Sequence, residues 1–190
     1  MLENALSARN LSVRLKVTVL SLVSAGLIVL AVALPQLVHL VAGASGGIRW
    51  LPMYLPVLLA GCLLGVRMGL MVGVASPLVS FLITSLLGNA MPAAVRLPYM
   101  IAELAVYAAV SGLFSRSIAG SRMAAFPAVL LASVAGRSLF MLASVAFMAV
   151  SPLTPSVVWA QIQEGFIGLI AQAVLAPVII MAVGKLLEKK

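Results

Sequence analysis

Residues 17–41 read VTVLSLVSAGLIVLAVALPQLVHLV and contain no Asp, Glu, Lys or Arg. At about 1.5 Å per residue, an α-helix of this length exceeds the roughly 30 Å hydrocarbon core of a bilayer, so the stretch predicts a membrane span. A basic start (Arg9, Arg14, Lys16) precedes it, and a cleaved signal peptide is the alternative interpretation. We expect the helix to be retained, because the run is longer than a signal core and the remaining sequence is equally apolar.

The composition extends this prediction to the whole chain. Hydrophobic residues make up 64% of the 190 residues and charged residues only 8%, against roughly 45–50% apolar usage in soluble domains. The net charge of +8 comes from Lys and Arg scattered singly or in pairs between apolar runs. This scatter is typical of membrane topology signals and argues against a nucleic-acid groove.

Charged residues, glycines and prolines divide the chain into further apolar runs. The pattern predicts an all-α integral membrane protein with a single transmembrane domain over residues 1–190, folded as a compact bundle of six transmembrane helices. The predicted helices cover about 17–41, 53–66, 68–87, 98–114, 123–150 and 156–184.

The positions of the basic residues predict the orientation of the bundle. Six spans place both termini on one side, and cytoplasmic loops collect Lys and Arg. With the N-terminus inside, most basic residues fall in cytoplasmic segments, which predicts an N-in and C-in topology. These residues are Arg9, Arg14, Lys16, Arg67, Arg116, Arg122, Lys185, Lys189 and Lys190.

Arg137 lies within the fifth predicted helix, in the middle of an apolar run. A charged side chain at the bilayer centre costs about 2.5–3.5 kcal/mol on insertion scales, so it requires a partner. One interpretation is an interhelical ion pair with Glu103 or Glu164 that only holds the bundle together. The other, which we favour, is contact with a polar or anionic substrate, because ionisable groups within spans usually mark ligand pathways.

We expect a substrate pocket between the outer halves of helices one, four, five and six, roofed by residues 43–47 and 89–96. A structural hydrogen bond is the alternative role for the lone histidine, and an interfacial aromatic belt is the alternative for the tyrosines. The candidate substrate-binding residues are His39, Tyr54, Asn89, Glu103, Tyr107, Arg137, Gln163 and Gln172.

Motifs of known enzymes are absent from the sequence. The chain has no Asp, no closely spaced pair of carboxylates, no H-E-x-x-H, no G-x-S-x-G and no phosphate-binding loop. Its single cysteine, Cys62, provides neither a disulfide nor a cysteine metal site. We therefore expect no catalytic residues, no metal, no cofactor and no enzymatic activity, and any active transport must draw on an ion gradient or a partner.

Five motifs occur in an order that resembles the substrate-binding S components of energy-coupling factor (ECF) vitamin transporters. Within that family the chain looks closest to the branch associated with pantothenate. The match covers nearly the whole chain, with Met53-Tyr54-Leu55-Pro56 where close relatives have Met-His-Ile-Pro. The motifs are LPQLVH at 34–39, LPMYLPVLLAG at 51–61, SPLVS at 76–80, PYMIAEL at 98–104 with Tyr107, and AGR at 135–137.

The resemblance implies a high-affinity vitamin-binding subunit in a bacterial or archaeal cell (inner) membrane. Such a subunit captures its vitamin at the external face and delivers it through a membrane-embedded T component and two cytoplasmic ATPases. A small-residue motif on helix one docks on the T component, and Ser21 and Ala25 match it as Ser-x-x-x-Ala. For a carboxylate such as pantothenate, Arg137 is the expected partner.

Two alternatives from other classes stay open. One is a stand-alone secondary transporter of a small metabolite, although no internal repeat is evident in the sequence. The other is a non-transporting structural membrane protein whose polar residues only pack.

Overall fold

The computed structural model describes residues 2, 6, 12–149 and 151–188, and these residues form helices and connecting turns without any β-strand. The all-helical prediction is confirmed. A short 3-10 helix covers Arg122–Ala124. The α-helices are α1 (Val13–Trp50), α2 (Tyr54–Leu64), α3 (Val66–Leu86), α4 (Leu97–Leu113), α5 (Ser115–Gly120), α6 (Ala125–Ala146), α7 (Pro155–Glu164) and α8 (Phe166–Glu188).

Among the described residues, five helical segments are long and apolar enough to cross a bilayer. The predicted fourth span corresponds to α4, which is apolar but has only 17 residues. The chain therefore has the character of a membrane protein with at least five candidate spans. The five long segments are Val13–Gly43, Gly46–Leu64, Val66–Leu86, Arg122–Ala146 and Phe166–Leu186.

The first helix departs from the prediction, because it continues beyond residue 41 to Trp50 and is broken only at Gly43. Gly43 has φ 70° and ψ −168°, a conformation that glycine adopts without steric cost, and the helix then resumes to Trp50. Leu51 ends it in the left-handed region with φ 50°, and its N–H donates to the carbonyl of Gly47 at 3.2 Å. A tight link then leads into α2.

The predicted helix over 156–184 is divided at Gly165 into α7 and α8. The backbone of this junction packs directly against the backbone at the end of α1. A Cβ placed on Gly168 would lie 2.6 Å from the Arg49 carbonyl oxygen, and one on Gly165 would lie 3.0 Å from the Ile48 carbonyl oxygen. Residues without side chains are required at this crossing, and the link from α1 to α2 is thereby held beside α7.

Three helices, α2, α3 and α4, approach one another backbone to backbone. A Cβ on Gly61 would lie 2.7 Å from the Ala108 carbonyl oxygen, and one on Gly73 would lie 2.8 Å from the Leu104 carbonyl oxygen. Small residues allow this close approach between helices in a membrane. As a result α2 is buried almost throughout, and it forms the centre of the bundle.

The two ends of the bundle are formed by different elements. At one end the turn from α2 to α3 meets the junction of α4 and α5, where a Cβ on Gly112 would lie 2.7 Å from the backbone nitrogen of Val66. Arg67 and Arg116 are exposed beside this contact. The opposite end carries the link from α1 to α2 and the segment 87–96 between α3 and α4.

Candidate functional site

A cavity of about 230 Å³ lies at the end of the bundle formed by the α1–α2 link and segment 87–96. Its walls are mostly apolar, and a small set of polar side chains projects from α2, α3, α4, α6 and α7. The lining residues are Pro35, Gly47, Ile48, Leu51, Pro52, Met53, Tyr54, Ser80, Met91, Pro92, Ala93, Arg96, Met100, Glu103, Arg137, Phe140 and Gln161.

The polar side chains of the cavity wall include a buried ion pair between Arg137 and Glu103. Arg137 Nη1 on α6 lies 3.0 Å from Glu103 Oε1 on α4, and the two side chains are only 9% and 2% exposed. The Tyr54 hydroxyl on α2 donates to Glu103 Oε2 at 2.7 Å. The guanidinium carbon of Arg137 lies 5.0 Å from the centre of the Tyr54 ring, within cation–π distance. Side chains from α2, α4 and α6 thus compensate the buried charges of the Glu103 carboxylate and the Arg137 guanidinium.

Gly136 and Tyr107 bring α4 and α6 close enough for this pair to form. Tyr107 lies one turn after Glu103 on α4, is fully buried, and meets the Tyr54 ring edge-on at 5.0 Å between centroids. A Cβ on Gly136 would lie 2.2 Å from atoms of the Tyr107 ring. The glycine before Arg137 therefore leaves room for the aromatic ring that supports the ion pair.

Arg137 keeps donors that the ion pair does not use. Its Nε and Nη2 groups have no hydrogen-bond partner among the described residues, although the side chain is nine-tenths buried and lines the cavity. The Tyr107 hydroxyl lies near Arg137 and Ser133, and it also has no hydrogen-bond partner among the described residues. Unpaired buried donors of this kind cost about 1–3 kcal/mol each. Arg137 therefore has hydrogen-bonding capacity beyond the ion pair, in a side chain that borders the cavity.

Two polar side chains face each other across the cavity. Arg96 Nη2, at the start of α4, donates to Gln161 Oε1 on α7. The neighbouring segment is fixed to α3, since Ser80 Oγ donates to the Met91 carbonyl and the Met91 N–H donates to Thr84 Oγ1, both at 2.7 Å. The wall that carries Arg96 is therefore anchored on one side by α3 and on the other by α7.

The structure brings three of the predicted site residues, Tyr54, Glu103 and Arg137, to the cavity wall. Tyr107 lies behind them as a supporting ring. Gln172 is buried away from the cavity, where its Nε2 donates to the Leu51 carbonyl at 2.8 Å and fixes the α1–α2 link. The geometry is compatible with both predicted roles of Arg137, because its side chain pairs with Glu103 and also lines the cavity.

Three other predicted residues do not line the cavity. Asn89 and Gln163 are exposed, and His39 is half-buried on α1. On α7 the cavity contact is made by Gln161, because residues two apart on a helix lie on different faces. Sequence reasoning missed Arg96 and Gln161 as site residues, and a signal for Arg96 was its position just before Pro98 at the start of an apolar helix.

The predicted docking residues lie outside the cavity. Ser21 and Ala25 are both exposed on α1, in the segment whose surface is mostly apolar and unburied. They are therefore accessible to another protein within the membrane.

Comparison of the chain with models of known families, with curated proteins and with solved structures found no match.

We predict that Arg137→Met is strongly destabilising, because it leaves the Glu103 carboxylate buried without its cation. The expected loss is about 3–5 kcal/mol of unfolding free energy. The double variant Arg137→Met/Glu103→Gln should recover much of this loss, since a neutral amide needs no counter-charge. Reversible unfolding in mixed detergent and SDS measures both, with Arg116→Met as a control at an exposed arginine. Additive losses from the two substitutions would contradict the coupling.

Proposed function

We propose that the chain is a membrane-embedded binding subunit for a small polar metabolite, of the type represented by the S components of ECF vitamin transporters. The observation that carries the proposal is the cavity lined by Arg137, a nine-tenths buried cation whose Nε and Nη2 donors have no partner among the described residues. A purely structural ion pair has no need of a cavity beside it or of spare donors. Ligand sites combine apolar walls with a few well-placed polar groups in the same way.

In this proposal the bundle crosses the membrane six times. The short helix α4 is a span in addition to the five long segments. Its 17 residues correspond to about 26 Å of helix, and a modest mismatch with a bilayer is met by local thinning or by flanking polar residues. Both termini are then cytoplasmic. The positive-inside rule supports an external cavity, because the opposite end carries Arg67 and Arg116 with the basic residues at the start of α1 and the end of α8, whereas the cavity end carries Arg49 and Arg96.

Pantothenate is the ligand that the motif resemblance favours. It carries one carboxylate, an amide, two hydroxyls and a branched apolar carbon. A site for it must provide hydrogen-bond donors to the ligand oxygens and apolar surface for the branched carbon. The Glu103, Tyr54 and Arg137 group provides donors and acceptors at one wall, and Met53, Met100 and Phe140 provide apolar surface elsewhere in the cavity.

The proposed partners are a membrane-embedded T component and two cytoplasmic ATPases, in the cell membrane of a bacterium or archaeon. The sequence has no phosphate-binding loop, so the energy of ATP must come from other subunits. The exposed Ser21 and Ala25 on α1 provide a small-residue surface for close contact with the T component.

We expect the purified chain in proteoliposomes to bind labelled pantothenate without accumulating it, even when ATP is supplied. Binding needs only the cavity, whereas accumulation needs the partner subunits. Equilibrium binding and filter-retained uptake separate the two. Accumulation by the chain alone under a sodium or proton gradient would instead show a secondary transporter, and an absence of pantothenate binding would remove this vitamin from the proposal.

Replacing Ala25 by Trp should disrupt docking while leaving ligand affinity nearly unchanged. The bulky ring would separate two helices that need small side chains in order to approach. Copurification with coexpressed T component and ATPases measures the effect, and Ser138→Trp on the exposed side of α6 is the matched control. Full recovery of the complex with the Ala25 variant would show that docking uses another surface.

A further inference from the structure

The charges on the cavity wall do not cancel. The described lining residues include two arginines, Arg96 and Arg137, and one acid, Glu103. With both arginines protonated and the acid ionised, the wall carries a net charge of +1. Such a wall is electrostatically complementary to a ligand with one negative charge.

The surplus cation can be assigned from the contacts. Both oxygens of Glu103 are engaged, one by Arg137 at 3.0 Å and the other by the Tyr54 hydroxyl at 2.7 Å. The side-chain partner of Arg96 is the neutral oxygen of Gln161. Arg96 is close enough to Glu103 to interact with it electrostatically, but among the described residues the ion pair of this carboxylate is with Arg137.

We propose that Arg96 binds the single negative charge of the ligand, while Arg137 donates to an uncharged oxygen of the same molecule. This assignment rests on the proposed function, namely that the cavity holds a metabolite. It differs from the simplest expectation, in which Arg137 binds the carboxylate. A carboxylate placed only at Arg137 would share its cation with Glu103 and meet like-charge repulsion from it.

When a ligand carboxylate binds Arg96, it replaces the Gln161 amide oxygen as the hydrogen-bond acceptor. Arg96 donates to Gln161 across the cavity, from the start of α4 to α7. A ligand carboxylate is a charge-assisted acceptor, roughly twice as strong as a neutral amide oxygen, and it matches the planar guanidinium fork. The carboxylate therefore displaces Gln161, and the site selects monoanions over neutral analogues of similar shape.

The test compares pantothenate with pantothenol, in which a hydroxymethyl group replaces the carboxylate, by calorimetry on the detergent-solubilised full chain. Wild type should prefer pantothenate by roughly ten- to hundredfold, the worth of a charged hydrogen bond. Arg96→Gln should lower pantothenate affinity by that factor and change pantothenol affinity much less. Arg96→Lys keeps the charge and should retain part of the preference, and Arg49→Gln is the control at an exposed arginine outside the cavity.

The variant Arg137→Met/Glu103→Gln provides the opposite comparison, because it removes neutral contacts and keeps the net charge of the wall. It should weaken both ligands by similar factors and preserve the preference for pantothenate. Loss of the preference in this variant, with retention in Arg96→Gln, would overturn the assignment to Arg96 and leave the binding function intact. Failure of wild type to bind either ligand would overturn both the assignment and the proposed pantothenate site.

Discussion

The structure depends on the compensation of one carboxylate and one guanidinium in apolar surroundings. Glu103 and Arg137 meet at 3.0 Å, and Tyr54 donates to the free oxygen of Glu103 at 2.7 Å. An uncompensated charge at this depth would cost several kcal/mol, so the three helices that carry these residues must keep their relative positions. Gly136 serves the same requirement, because it makes room for the Tyr107 ring between α4 and α6.

The cavity follows from the way the remaining elements close over this group. Gly43 and Leu51 turn the chain from α1 into α2, and Gln172 holds the turn by donating to the Leu51 carbonyl. Segment 87–96 is fixed to α3 through Ser80 and Thr84. Stable walls then surround a space of about 230 Å³ that both Arg137 and Arg96 line. In the proposed binding function these fixed walls would lower the free energy that is lost in ordering the site around a ligand.

Much of the helical architecture was predictable, because apolar runs bounded by charges leave few alternatives in a chain with 8% charged residues. The rarity of polar groups also identified Tyr54, Glu103 and Arg137. The interruption at Gly165 was not predictable from hydropathy, since it reflects the close crossing of α1. Without the orientation of α7, the sequence favoured Gln163 over Gln161. The exposure of Asn89 and the contact of Arg96 with Gln161 likewise depend on how segment 87–96 folds against α3 and α7.

Cysteine labelling in intact cells tests most directly whether the cavity opens to the external face and binds its ligand there. Ala93 is exposed and lines the cavity, and Cys62 is the only cysteine of the chain, so Ala93→Cys in a Cys62→Ser background gives a single reporter. A membrane-impermeant maleimide should label it without permeabilisation, and pantothenate should slow the labelling, whereas Arg116→Cys should react only after permeabilisation. Labelling of Ala93→Cys only from the cytoplasmic side, or external labelling that pantothenate leaves unchanged, would contradict the proposed site.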